Sequence, residues 1–162
     1  MANRHISKIA MNDKRTLVHY KSYHNLDDGD FRTNDVPLKS DIRPHKDFYE
    51  AFQGIKKHIV PIMGLGLFSN QTDADERARH IITTVNIYEG DEDTSIKVSL
   101  QRYHKNGMSF NCTSWLINLN HYEYEKIKQL RKDVEALVHE AELYATGKKN
   151  GEDQLTLNFE AA

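Results

Sequence analysis

The stretch that decides the fold is Ile81-Ile82-Thr83-Thr84-Val85-Asn86-Ile87-Tyr88, which is β-branched almost throughout. A second strand pattern follows, in which Ile96, Val98 and Leu100 alternate with polar residues. A third pattern runs from Phe110 to Ile117. Because β-branched and alternating segments are typical of strands that bury one face, this part of the chain predicts three consecutive strands.

The connections between these strands carry turn residues. Residues 89–93 contain Gly90 among acidic residues, and Lys105-Asn106-Gly107 contains an Asn-Gly pair. Asn and Gly both tolerate a positive φ, so this pair is a strong hairpin signal. The three strands are therefore predicted to form an antiparallel meander.

Two amphipathic helices flank the meander in the sequence. The first is predicted to begin near Pro44, whose fixed φ suits a first helical position, and to end or kink at Pro61. The second is predicted to begin with Asn120 as its cap and to end before Gly147. Apolar residues recur at three and four positions in both: Phe48, Ala51, Phe52, Ile55, Ile59 and Ile62 in the first, and Tyr124, Ile127, Leu130, Val134, Leu137, Val138, Ala141 and Tyr144 in the second.

The N-terminal part of the chain predicts a hairpin followed by a loop. One strand lies around Ile6 and Ile9, the other spans residues 17–23, and residues 12–15 have turn character. Residues 24–43 are polar and irregular, and predict a long loop. The element order is therefore ββαβββα, which predicts an α+β fold: two layers, a mainly antiparallel sheet of about five strands, and two helices on one face.

Composition sets the class of protein. The chain has 162 residues, of which 38% are hydrophobic and 28% charged, with a formal net charge of −2. We therefore expect one folded domain over residues 1–146, followed by a polar segment and a C-terminal peptide over residues 147–162. A single cysteine, no apolar leader and no long apolar run predict a cytoplasmic protein that makes no membrane contact. Residues 1–60 carry 11 Lys/Arg against 8 Asp/Glu, a weak basic bias.

The residues that most often carry chemistry form no recognised pattern here. Nine histidines lack the spacing of a zinc site, and Asp27-Asp28-Gly29-Asp30 lacks the offsets of a calcium loop. Gly64 and Gly66 are only a fragment of a dinucleotide fingerprint, and Cys112 is more typical of a small buried filler than of a nucleophile. The sequence therefore predicts a non-enzymatic protein with no cofactor and no metal, whose histidines are scattered over the surface.

Aromatic and basic residues are interleaved on two predicted strands, as in sites that bind single-stranded nucleic acid by stacking and phosphate contacts. The acidic net charge opposes a strong nucleic-acid binder, and strand-forming aromatics on a solvated face are the alternative. The candidate contacts are Tyr20, Lys21 and Tyr23 on the first strand pair, and Arg102, Tyr103 and Lys105 in the meander.

The C-terminal peptide carries a further pattern. Gln154 is followed by Leu155, Leu157 and Phe159, after the polar, glycine-containing residues 147–153. This peptide resembles the short motifs by which bacterial replication and repair proteins dock on the DNA polymerase sliding clamp. The resemblance implies that the Gln154 amide anchors the peptide, and that Leu157 and Phe159 enter apolar pockets on the clamp.

Two functions follow from the two ways in which this peptide can be used. If it docks, we expect an accessory protein of DNA replication, recombination or repair, of phage or mobile-element type, with the sliding clamp as partner. If Leu155, Leu157 and Phe159 alternate as an edge strand of the protein's own sheet, we expect a protein-binding inhibitor or a structural, oligomeric protein. An enzyme acting on nucleic acid is a third hypothesis, resting on scattered His and Asp alone.

Overall fold

The computed structural model of the protein describes residues 3–12, 14–25, 31–65, 79–104 and 107–147. Within these ranges, residues 3, 4, 22–25, 31–37 and 39 are described by their backbone alone. The elements, in chain order, are β1 (Asn3–Met11), β2 (Thr16–Asn25), β3 (Phe31–Ser40), α1 (Lys46–Gly54), α2 (Lys56–Ile62), β4 (His80–Glu89), β5 (Thr94–Tyr103), β6 (Ser109–Thr113), β7 (Ile117–Asn118) and α3 (Ile127–Ala145).

One antiparallel sheet organises these elements. Its strand order is β3-β2-β1-β4-β5-β6, and β7 pairs with β5 beyond the end of β6. The α+β class and the mainly antiparallel sheet are confirmed, as are the N-terminal hairpin and the meander. Within the described residues the sheet has seven strands, where the sequence predicted about five, because β3 and β7 were not foreseen.

The β4–β5 hairpin shows why the meander forms. Val85 lies opposite Val98 and Ile87 opposite Ile96, and all four side chains are buried. The turn is closed by a hydrogen bond from the Gly90 N–H to the Asp93 carbonyl at 2.8 Å. Cross-strand pairs of β-branched residues stabilise such a hairpin, so the alternation read from the sequence is the alternation of the buried face.

The prediction of a long loop over residues 24–43 is wrong. Residues 31–40 form β3, which pairs with β2 over ten residues, from Thr16 opposite Ser40 to Asn25 opposite Phe31. The stretch contains Asp35 and Pro37, which are rare in central strands, but among the described strands β3 lies at the edge of the sheet, and an edge strand tolerates proline. Pairing with β2 therefore compensates for the low intrinsic strand propensity of these residues. Residues 26–30 lie outside the described residues.

The first predicted helix is two short helices. His45 caps α1 by accepting a hydrogen bond on Nδ1 from the Asp47 N–H at 3.1 Å. The helical run is interrupted at Ile55. Helix α2 then ends at Ile62, one residue after Pro61, which agrees with the predicted effect of that proline on the helix end.

The second predicted helix begins six residues later than expected, because its cap is Lys126 and not Asn120. Asn120 does not cap it, because the turn after β7 is closed by Asn118, whose Oδ1 accepts hydrogen bonds from the N–H groups of Asn120 and His121. Helix α3 starts at Ile127. Its predicted C-terminus is confirmed: Gly147 has φ +74°, and its N–H donates to the Tyr144 carbonyl.

The core lies between the helices and one face of the sheet. Fully buried side chains of α1, α2 and α3 meet those of β1, β2, β4 and β5, including Phe52, Ile59, Leu137, Ile9 and Val98. A second layer of contacts ties the C-terminal end of α3 to this core: the Phe48 and Tyr144 rings lie 5.4 Å apart. Within the described residues, no helix combines the length and apolar character needed to cross a membrane.

Candidate functional site

The residues predicted to contact nucleic acid on β2 do not share one face of the sheet. Tyr20 lies opposite Ile6 and packs, partly buried, against the core on the helix-covered face. Lys21 is the next residue along the strand, so its side chain lies on the opposite, open face. The side chain of Tyr23 lies outside the described residues.

The predicted contacts on β5 are also divided between the two faces. Arg102 lies on the helix-covered side, where its Nη1 is 3.0 Å from Nε2 of the buried His80. Tyr103 lies on the open face and donates a hydrogen bond to Gln101 Oε1 at 2.7 Å. Lys105 lies outside the described residues. These side chains are thus engaged in contacts within the sheet.

The two predicted patches are also far apart. Lys21 lies opposite His5, and His5 Nδ1 is 4.0 Å from a carboxylate oxygen of Glu89, which pairs with Thr94. Lys21 therefore lies at the same height along the sheet as Thr94, the first residue of β5, whereas Tyr103 is the last residue of β5. At about 3.3 Å per residue, the two patches are separated by roughly 30 Å along the strands. The structure does not bring them together into one groove.

A polar cluster around the buried His58 joins α2 to α3 and to the segment before α3. His58, only 1% exposed, contacts Tyr124 Oη with Nδ1 at 3.0 Å and Asp133 Oδ2 with Nε2 at 2.7 Å. Asp133 also accepts a hydrogen bond from Gln129 Nε2 at 2.9 Å and pairs with Lys57 Nζ at 3.2 Å. We call these five residues the His58 cluster.

The protonation states within the His58 cluster follow from its contacts. Burial lowers the pKa of His58 below its ordinary value of 6.5, although the hydrogen bond and charge of Asp133 act in the opposite direction. Burial raises the pKa of Asp133, but hydrogen bonds from His58, Gln129 and Lys57 outweigh it, so the net shift is downward from 3.8. Burial, with the charge of Glu125, raises the pKa of Tyr124.

At neutral pH the cluster therefore contains a neutral imidazole and a carboxylate. A carboxylate can only accept hydrogen bonds, so Nε2 of His58 carries the hydrogen and Nδ1 accepts from the Tyr124 hydroxyl. A carboxylate, an imidazole and a hydroxyl in series resemble a general-base arrangement. However, His58 is only 1% exposed, and neither the cleft of about 520 Å³ between the β1–β2 turn and α1 nor the cleft of about 370 Å³ beside it is lined by His58, Tyr124 or Asp133. The arrangement therefore acts as a hydrogen-bonded junction between the helices.

Sequence reasoning missed the His58 cluster. Of the eight histidines whose side chains are described, His58 and His80 are buried, so the prediction that the histidines are scattered over the surface is wrong for these two. The signal available was that His58 interrupts the apolar stripe between Ile55 and Ile59. Its partner Asp133 lies 75 residues away, and no local spacing predicts that contact.

The remaining predicted sites have simple outcomes. Cys112 is half-buried on β6 and packs against the core, as expected of a small filler. Among the described residues, no three His, Cys, Asp or Glu side chains are grouped so that they could hold a metal ion. The segment Asp27-Asp28-Gly29-Asp30 and the peptide of Gln154, Leu155, Leu157 and Phe159 lie outside the described residues.

The chain was compared with known proteins in three ways. No protein-family model, no curated protein and no solved structure matches it.

Proposed function

We propose that the protein is a non-enzymatic accessory factor of DNA replication, recombination or repair, recruited to the sliding clamp by its C-terminal peptide. The observation that carries this proposal is the sequence of that peptide: Gln154, Leu155, Leu157 and Phe159 have the types, order and spacing of a clamp-docking motif. A docking peptide of this kind binds as an extended segment whose alternate side chains enter pockets.

The length of chain between helix α3 and the peptide supports docking. Helix α3 ends at Ala145, and Gly147 follows it with φ +74°. Six residues, 148–153, separate Gly147 from Gln154. At a maximum of about 3.5 Å per residue, they span roughly 20 Å, which is enough to carry the peptide away from the helix end.

The character of the His58 cluster supports a binding function over an enzymatic one. Its titratable groups are satisfied by one another, and His58 is almost completely buried. A general base must reach the proton that it abstracts from a substrate. A junction whose polar groups bond to one another is typical of a scaffold that positions binding surfaces elsewhere on the protein.

The decisive experiment measures binding of the full chain to a purified bacterial sliding clamp by isothermal titration calorimetry. We expect a modest, reversible affinity, because burying one Leu and one Phe contributes about 1.5–3 kcal/mol each. The double variant Leu157→Ala/Phe159→Ala should abolish binding. The matched control is Thr156→Ala/Asn158→Ala, which changes the intervening side chains and should bind as the unmodified chain does. Equal binding by both double variants would contradict the proposal.

The edge-strand alternative has one observation in its favour. Exposed apolar side chains lie on strand β6 and on both sides of it in the sequence: Met108 and Leu116 are each 56% exposed, Phe110 49% and Trp115 48%. Exposed apolar groups of this kind often mark protein-binding surfaces. Deletion of residues 152–162 separates the two functions, because loss of a packed strand lowers the free energy of unfolding by several kcal/mol, whereas loss of a docking peptide leaves it unchanged.

A further inference from the structure

A cleft of about 520 Å³ lies where the β1–β2 turn meets the segment between β3 and α1. Lys14 and Arg15 line it from the turn, Arg43 from the segment after β3, and Lys46 and Tyr49 from α1. Its volume falls within the range of ordinary ligand sites, about 300–1,000 Å³. We call it the turn cleft.

The walls of the turn cleft are held in place by hydrogen bonds. Oδ1 of Asn12 accepts from the N–H groups of Lys14 and Arg15, at 2.9 and 2.8 Å, which fixes the turn. On the opposite wall, the Ile42 N–H donates to Ser40 Oγ at 3.0 Å, and the Ile42 carbonyl accepts from the Tyr144 hydroxyl at 2.8 Å. A cleft ordered before its ligand arrives loses less conformational entropy on binding.

The floor of the turn cleft is fixed to the sheet. The side-chain amide of Gln53, on α1, donates from Nε2 to the Ile82 carbonyl and accepts on Oε1 from the Ile82 N–H, both at 2.9 Å. This pair of bonds joins α1 to the start of β4. Tyr49 is therefore presented from a helix that is anchored one turn further on.

The charge of the turn cleft is strongly one-sided. Among the described residues that line it, four are cationic and only Asp41 is acidic. Asp41 is 3.6 Å from Arg15 and Glu50 is 3.6 Å from Lys46, but all four side chains are well exposed, so both pairs are weak. Although the whole chain has a net charge of −2, this cleft offers an excess of positive charge to a ligand.

Two further features extend the turn cleft beyond a site for a single small anion. Arg15 also lines a second cleft, of about 370 Å³, with Ala10, Leu17 and the hydroxyl-bearing Thr84 on the open face of the sheet. Tyr49 is 49% exposed, so part of its ring is free for a planar partner to contact. A cationic path with an aromatic platform is the arrangement that binds single-stranded nucleic acid.

We propose that the turn cleft binds the backbone of a single-stranded nucleic acid, with Lys14, Arg15, Arg43 and Lys46 facing phosphates and Tyr49 stacking on a base. The path continues past Arg15 to the open face of the sheet. This site lies in the folded body and does not depend on the C-terminal peptide, so it stands or fails independently of clamp docking.

The test is the binding of fluorescein-labelled oligothymidylate to the full chain, followed by fluorescence anisotropy over a series of salt concentrations. The double variant Lys14→Glu/Arg43→Glu should weaken binding at least tenfold. It should also lower the slope of log affinity against log salt by about 1.4, since each phosphate contact to a single strand contributes about 0.7. The matched control, Lys128→Glu/Lys132→Glu, makes the same change of charge at exposed positions of α3 and should retain the slope.

Substitution of Tyr49 tests the stacking contact. Tyr49→Ala should weaken binding about tenfold, whereas Tyr49→Phe keeps the ring and should remain within about twofold of the unmodified chain. Thermal unfolding of each variant verifies that the fold is retained.

Four results would overturn the proposal. They are no binding at low salt, equal weakening by the cleft variant and the α3 control, equal binding of duplex DNA, and displacement of the oligonucleotide by polyglutamate as effectively as by unlabelled oligothymidylate. The last result would assign the cleft to acidic protein segments.

Discussion

The two faces of the β4–β5 hairpin differ in polarity, although both are formed by alternate side chains of the same two strands. On the covered face, Ile82 lies opposite Leu100 and Val85 opposite Val98, all fully buried under the helices. On the open face, hydroxyl and amide groups bond to one another: Ser99 Oγ to Thr113 Oγ1 at 3.1 Å, and Gln101 Nε2 to Ser109 Oγ at 3.3 Å. The covered face excludes water, whereas the open face carries hydroxyl and amide groups that can also bond to water.

This difference indicates where stability and binding are located. Burial of apolar area is the dominant favourable term in folding, and the covered face supplies it. Hydrogen bonds on an exposed face replace bonds to water and contribute little. The open face and the clefts at its border can therefore change without loss of the fold, and this is where we place the ligand of the folded body.

The largest effect is expected from the covered side. Phe52→Ala removes a fully buried ring of α1 and should lower the free energy of unfolding by about 3–5 kcal/mol, because it leaves a cavity as well as losing apolar burial. Urea denaturation measures it. Tyr49→Ala, on the same helix but half-exposed, is the matched control and should cost less than about 1 kcal/mol. Equal losses for the two variants would remove the contrast between covered and exposed positions.

An intermediate effect that depends on pH is expected at His58. His58→Gln should cost about 1–3 kcal/mol near pH 7, because Tyr124 and Asp133 lose their buried partner. The pKa of His58 in the folded protein is below 6.5, so the unfolded chain takes up a proton first as the pH falls through that value, and the unmodified protein loses stability.

The glutamine variant lacks this loss, so the difference in stability between the two proteins should narrow on acidification. Urea denaturation at about pH 7.5 and about pH 5.5 measures it. The downward-shifted pKa of Asp133 keeps that group ionised over this interval. A difference that stays constant or widens would show that His58 is not held neutral by burial.

The smallest effect is expected on the open face. Ser99→Ala removes a hydroxyl whose bond to Thr113 is exposed, and Lys97→Ala removes an exposed charge. Each should change the free energy of unfolding by no more than about 0.5 kcal/mol, measured by urea denaturation. A loss above about 1 kcal/mol for Ser99→Ala would mean that the hydroxyl and amide network of this face stabilises the fold.

The same contrast explains how much of the fold could be predicted. The meander could be predicted because Ile96, Val98 and Leu100 alternate with polar residues, and such alternation indicates a strand with one buried face. Strand β3 was not predicted, because Asp35 and Pro37 argue against a strand, whereas its pairing with β2 stabilises it in the fold. The start of α3 was misplaced because Asn118 closes a turn ahead of it.

The sites were less predictable than the elements. The His58 cluster joins residues 58, 124 and 133, whose proximity depends on how two helices pack. The turn cleft likewise gathers Lys14, Arg43 and Lys46 from separate elements. Sequence patterns report on neighbours within one helix or strand, whereas these sites are made where elements meet. The weak basic bias of residues 1–60 was the one sequence signal that pointed towards the cleft.

The two hydrogen bonds of Gln53 have a consequence for the length of the sheet. The register of β1 with β4 reaches Thr84, and both backbone groups of Ile82 beyond it are bonded to the Gln53 amide. A primary amide carries a donor and an acceptor side by side, as the edge of a peptide chain does. Gln53 thus takes the position of one residue of a neighbouring strand. Because both backbone groups of Ile82 are already hydrogen-bonded, a strand from another molecule cannot extend the sheet at this point.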